Sequence, residues 1–173
     1  MNNVEEKNKR LEIYNKLIEE ISKIDKNTLK KENLNKNDEI LNHSKINICL
    51  YLDFIEKEVI GYIKSMSLNS MSFLFLEKNI PSKFLNSLSK NENDTIYPVL
   101  IDLGNGDYYH ILINFNNFSF VKKNDMIEIN GCFLDDKNDL ILKIHKKIVM
   151  ENEEKIKKEN TLKIINYSHI GKE

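Results

Sequence analysis

The side chains that could do chemistry are few and scattered along the 173 residues. Two cysteines, Cys49 and Cys132, and four histidines, His43, His110, His145 and His169, are the soft metal ligands available. Their spacings match no zinc pairing, so no metal is expected, and the cysteines read as reduced, buried fillers. The sequence contains no G-x-x-x-x-G-K-[ST] loop, no G-x-S-x-G elbow and no His-Glu-x-x-His helix. Asp135, Asp136 and Asp139 share one polar stretch, where turn-forming chemistry accounts for them. Neither an enzyme nor a cofactor is expected. What remains is a set suited to a single strand of nucleic acid. Tyr108 and Phe118 could stack on bases, and Lys64, Lys143 and Lys147 could meet phosphates. Each such stack is worth ~1–3 kcal/mol, although burial in a core is the plainer fate of any one aromatic. Lys and Arg number 26 against 27 Asp and Glu, so attraction by bulk charge is excluded as the main mode of binding.

The elements that must position these residues centre on Pro98–Phe133. Val99–Leu103 and Tyr108–Phe115 flank Gly104-Asn105-Gly106, a hairpin signal because glycine supplies the positive φ of a tight turn. Tyr109, Ile111, Ile113 and Phe115 alternate onto one face. Met126–Phe133 reads as the next strand, with Gly131 marking a bulge or bend. Val59–Met66 and Met71–Leu76 precede the meander, and Leu140–Val149 reads as a last strand, with Leu140, Leu142, Ile144 and Ile148 on one face. Leu50, Tyr51, Phe54 and Ile55 have the spacing of a short helix that Ser44 could cap. Residues 4–24 carry an amphipathic stripe of Leu11, Tyr14, Ile18 and Ile21, and the polar stretch 25–42 reads as a linker that leaves this helix an appendage. Residues 77–95 are expected to be a disordered insertion, with a helical turn or two at Ser82–Leu88. The tail, Glu151–Tyr167, is helix-prone. Six strand candidates are one too many for the five-stranded OB barrel that the pattern otherwise suggests. No apolar run is long enough to span a membrane, and no signal peptide is seen.

Lys45-Ile46-Asn47, the box Phe54-Ile55-Glu56-Lys57, Gly61, the hairpin Asp102–Gly106, Ile127-Glu128-Ile129 with Gly131, and Leu162-Lys163-Ile164-Ile165 occur in an order that resembles the smallest subunit of replication protein A. That family is a eukaryotic heterotrimer that binds single-stranded DNA. The resemblance covers roughly residues 44–167, with gaps; residues 1–43 and the 77–95 insertion have no counterpart. It implies a mainly β chain: an N-terminal helix and linker over 1–43, an OB barrel over 44–150, and a partner-binding helix and tail over 151–173. It further implies a nuclear, non-catalytic subunit for replication, repair and recombination. Its helix, through Ile156, Leu162, Ile164, Ile165 and Tyr167, would join the middle and large subunits, and single-stranded DNA would be met mainly through the complex. The small OB subunit of the telomere-capping CST complex has the same build. An autonomous single-strand binder is the third reading.

Overall fold

The computed structural model describes residues 3–25, 39–42, 46–90, 95–102, 108–121, 124–134 and 138–170, with side chains as far as residue 162. The elements are helix α1 (Asn3–Ser22), strands β1 (Ile40–Leu41), β2 (Asn47–Leu52), β3 (Lys57–Met66) and β4 (Ser70–Leu76), helix α2 (Ser82–Ser89), strands β5 (Ile96–Asp102), β6 (Tyr108–Val121) and β7 (Met126–Phe133), and helix α3 (Asn138–Ile170). Single 3₁₀ turns occupy Asp53–Ile55 and Glu77–Asn79. Every strand pairing is antiparallel. β2 lies between β3 and β5, β6 between β5 and β7, and β4 between β7 and β3, so six strands close into a barrel. β1 runs beside the last residues of β3, on the edge that β2 leaves free.

Alternation along each strand fills the barrel with side chains, as a barrel of this size requires. Ile48, Leu50, Val59, Ile63, Phe73, Phe75, Val99, Ile101, Ile113, Phe115, Ile127 and Ile129 are all buried in it. Each contributes about 1.5–3 kcal/mol of transfer free energy relative to exposure. Gly131 stands opposite Phe115, where the β6–β7 register shifts between Phe115 and Asn117; a Cβ there would run into the Ile113 side chain. Closure therefore needs a bare backbone at that bend.

The helices cover the barrel. On α2, Phe84 and Leu88 point inward, and the Phe84 ring lies 5.2 Å from Tyr97 and 5.5 Å from Phe115. Ile141, Ile144 and Ile148 of α3, spaced at three and four residues, are buried in the same core. α1 lies outside the wall, where Tyr14 packs on Tyr51 and Leu100, and Leu17 packs on Ile96 and Leu112.

The mainly β barrel with a C-terminal helix agrees with the sequence-based expectation, but the barrel has six strands where five were expected, and three stretches differ from the elements expected of them. The stretch expected as a short helix at 44–57 is strand β2 followed by a 3₁₀ turn. Ile48, Leu50 and Leu52 enter the barrel while Tyr51 and Cys49 lie under α1, so both faces are covered and the alternation that marks a strand is erased. Ser44 falls outside the described residues. Leu140–Val149, expected as a strand, is the start of α3, and the spacing that governs it is Ile141, Ile144, Ile148, with Leu142 exposed. α3 then runs through position 150 without a break. The 77–95 segment, expected to be disordered, is ordered through residue 90 and puts Phe84 in the core. The Gly104-Asn105-Gly106 turn lies outside the described residues, although β5 and β6 pair on either side of it.

The place of Phe84 sets an expectation. Phe84→Ala should cost about 3–5 kcal/mol of unfolding free energy, the usual range for an aromatic removed from a packed core. Urea denaturation measures it, and a loss below roughly 0.5 kcal/mol would mean that α2 is not docked.

Candidate functional site

A hydroxyl-rich turn closes the end of the barrel where β3 passes into β4. The run is Ser65-Met66-Ser67-Leu68-Asn69-Ser70-Met71-Ser72, in which every serine is almost fully buried. β3 is irregular just before it, with the β3–β4 register shifting between Ile63 and Ser65. The turn is built from its own polar groups. The Ser67 amide donates to the Ser70 carbonyl at 2.9 Å, the Ser67 hydroxyl donates to Asn69 Oδ1 at 2.6 Å, and the Ser67 and Ser70 hydroxyls lie 2.8 Å apart. Asn69 is tied to the next strand line through its carbonyl, which accepts from the Phe133 amide at 3.0 Å. Burying so many hydroxyls without partners would cost several kcal/mol in sum, so this network is a condition of the turn existing.

The segment ahead of β2 lies against the turn. Glu39 Oε1 accepts from the Ser65 hydroxyl at 2.6 Å. The Asn42 amide donates to the Lys64 carbonyl and its side chain to the Ile63 carbonyl, both at 2.8 Å. Asn152 of α3 donates to the Leu41 carbonyl at 2.7 Å. The Glu39–Asn42 strap thus touches the turn, the bulged part of β3 and the last seated turn of α3. Among the described residues the nearby cation in sequence is Lys64, and its ammonium is held by Glu128 at 2.8 Å.

A second polar cluster fastens α1 to the barrel. Arg10 grips Glu58 with two bonds, Nε to Oε2 at 2.9 Å and Nη2 to Oε1 at 3.2 Å. Tyr14 donates its hydroxyl to the same carboxylate at 2.7 Å, and its ring stacks on Tyr51 at 4.5 Å with the planes 6° apart. A cleft of about 500 Å³ opens beside this junction, bordered by Lys7, Asn15 and Lys57 among others. The Arg10 guanidinium is held charged by its bonds to Glu58. Burial, reinforced by the hydrogen bond to Glu58, keeps Tyr14 protonated. Burial, with the Glu58 charge nearby, pushes the Cys49 thiol up to about 11.

The residues singled out for nucleic acid do not form one surface. Tyr108 packs with the Tyr14, Tyr51 and Leu100 cluster under α1. Phe118 lies in β6, packs against the barrel core and meets Phe120 edge-on at 5.6 Å. Lys64 is paired with Glu128, Lys147 is paired with Glu151 at 3.4 Å along α3, and Lys143 is exposed on that helix. Ile156 and Leu162 stand half or more exposed on α3, while the side chains of Ile164, Ile165 and Tyr167 lie outside the described ones. Sequence reasoning passed over the serine turn. Its available signal was four serines in eight residues between two apolar runs, a pattern too polar for a continuous strand and too short for a linker.

The α1 junction can be tested through Cys49. At about pH 8 the buried thiol should carry roughly 100-fold less thiolate than a free cysteine and be alkylated correspondingly slowly by iodoacetamide. Glu58→Ala should lower stability by about 1–3 kcal/mol, because it strands the Arg10 and Tyr14 donors. It should also speed alkylation of Cys49 roughly tenfold or more as α1 loosens. An unchanged alkylation rate in that variant would show that Glu58 does not hold α1.

No family model matches the chain, and no curated protein matches it in sequence. Solved structures do match. The PilZ domain of YcgR from Escherichia coli, solved with c-di-GMP, superposes with a TM-score of 0.52 at 16% identity, over 69% of this chain and 95% of that one. YcgR of Escherichia coli in complex with c-di-GMP gives a TM-score of 0.50 at 11% identity, over 72% of this chain and 48% of that one. MrkH of K. pneumonia in its apo state gives 0.51 at 11% identity, over 73% of this chain and 56% of that one. The chain thus spans nearly all of the isolated domain and about half of the longer proteins. These likenesses overturn the resemblance to the smallest replication protein A subunit, and with it the trimer partners, the DNA-repair role and the telomeric and single-strand-binding alternatives. Most of the short sequence boxes that carried that resemblance are strand, turn and glycine signals common to small antiparallel barrels, and the last, Leu162–Ile165, lies on α3. What the likeness shows is the fold alone: the closed six-stranded barrel of this chain is of the PilZ/OB-like kind.

Proposed function

We propose that the chain is a non-enzymatic regulatory barrel whose ligand is a cyclic dinucleotide such as c-di-GMP. The observation that carries this reading is the match over 95% of an isolated PilZ domain that was solved with c-di-GMP. The serine turn supports it chemically. Its hydroxyls are buried and bonded to one another, to Asn69 and to Glu39, so they would meet phosphate oxygens or base edges by exchanging those partners as the turn opens. Its charge sets the strength. The described groups at the turn are neutral donors and one carboxylate, Glu39, while Lys64 is neutralised by Glu128. Binding therefore draws little on phosphate–cation attraction, and an affinity in the range of about 1–100 μM, some 5–8 kcal/mol, is expected.

Isothermal titration of the full chain with c-di-GMP at low salt tests the reading, with GMP as the control. Saturable heat with c-di-GMP and none with GMP is the expected result. Recovery of intact c-di-GMP after prolonged incubation would accord with a non-enzymatic role. No detectable heat at millimolar c-di-GMP would overturn the proposal.

A further inference from the structure

The geometry points to Glu39 as a built-in occupant of the anion position at the serine turn: the Glu39–Asn42 strap holds the site closed, and an anionic ligand must displace it. This inference rests on the ligand reading above and goes beyond it. The Ser65 hydroxyl is fully buried, and its proton is given to Glu39 at 2.6 Å. A carboxylate oxygen on a serine hydroxyl offers that donor the same kind of contact as a phosphate oxygen does. A second anion at this point would meet the Glu39 charge in a partly dry environment, where like charges repel more strongly than in water.

The strap is placed to be displaced. β1 contributes only Ile40 and Leu41 to the sheet, opposite Met66 and Ser65, and is among the shortest ladders in the fold. Leu41 is more than half exposed, and Ile40 is the strap's one apolar side chain packed against the barrel core. The strap's ties include the two Asn42 bonds to β3 and the Asn152 bond from α3. Displacement of Glu39 would pull on Leu41 and hence on the turn of α3 that carries Asn152. The site and the long helix are thereby linked through four residues of chain.

Glu39→Gln separates charge from shape. The amide keeps the length of the side chain and an oxygen that can still accept from Ser65, and it removes the negative charge. Titration with c-di-GMP should show binding about tenfold or more tighter for Glu39→Gln than for the unaltered chain, with a melting temperature within a few degrees of it. Equal affinity in the two proteins would overturn the inference and leave the ligand reading standing. Absence of binding in both would overturn the two together. Should Glu39→Gln fail to fold, Glu39→Ala is read by the same criteria.

Discussion

Closure of the barrel is the constraint from which the rest follows. β4 is held on one side by β7, from Ser70 opposite Cys132 to Leu76 opposite Met126, and on the other by β3, from Gly61 opposite Phe75 to Met66 opposite Met71. A sheet closed in this way has no long free edge and hides one face of every strand completely. Curvature tight enough for closure needs local irregularity. It is found in β6 at Phe115–Asn117, facing Gly131, and in β3 at Ile63–Ser65, beside the serine turn. The candidate site therefore sits where the wall bends. The backbone there cannot continue a regular ladder, and side-chain hydroxyls and amides satisfy the polar groups that the ladder would otherwise use.

Much of this was legible in the sequence, and the failures share one cause. The alternation of β6, a period of two, is visible because polar His110 and Asn114 stand between apolar residues, although Leu112 and Asn114 are themselves buried, and the glycine of β7 is visible by its type. β2 has lost that period because α1 covers its outer face: Tyr51 is buried under Tyr14 just as Leu50 and Leu52 are buried in the barrel. The start of α3 was misread for the opposite reason. Leu140, Leu142 and Ile144 mimic a strand, and only the depth of Ile141, which depends on the barrel being there, restores the helical period. In each case tertiary packing chose between two patterns that the local sequence left level.

The site was less legible than the fold. Serine is common on surfaces and in turns, so Ser65, Ser67, Ser70 and Ser72 carry no chemical message until closure buries them together. The cations and aromatics that looked functional behave the other way. Lys64, Lys147 and Tyr108 are absorbed into ion pairs and packing that only the folded chain reveals. Composition had allowed for this, since 26 cations nearly balance 27 anions.

The length of α3 is what gives the strap consequence beyond its own few bonds. Its 33 residues rise about 50 Å at 1.5 Å each, yet among the described side chains the buried anchors end at Ile148. From Glu153 to Leu162 the described residues are exposed. A polar helix without a covered face has little stability of its own, so its direction and persistence are set where it leaves the barrel. At that point Lys147 pairs with Glu151, and Asn152 reaches back to Leu41 of the strap. The strap in turn shares Ser65 with the turn. The displacement proposed at Ser65 would reach α3 along this chain of hydrogen bonds. The closed barrel supplies the frame, and β1, only two residues long, is the element the proposed displacement would move.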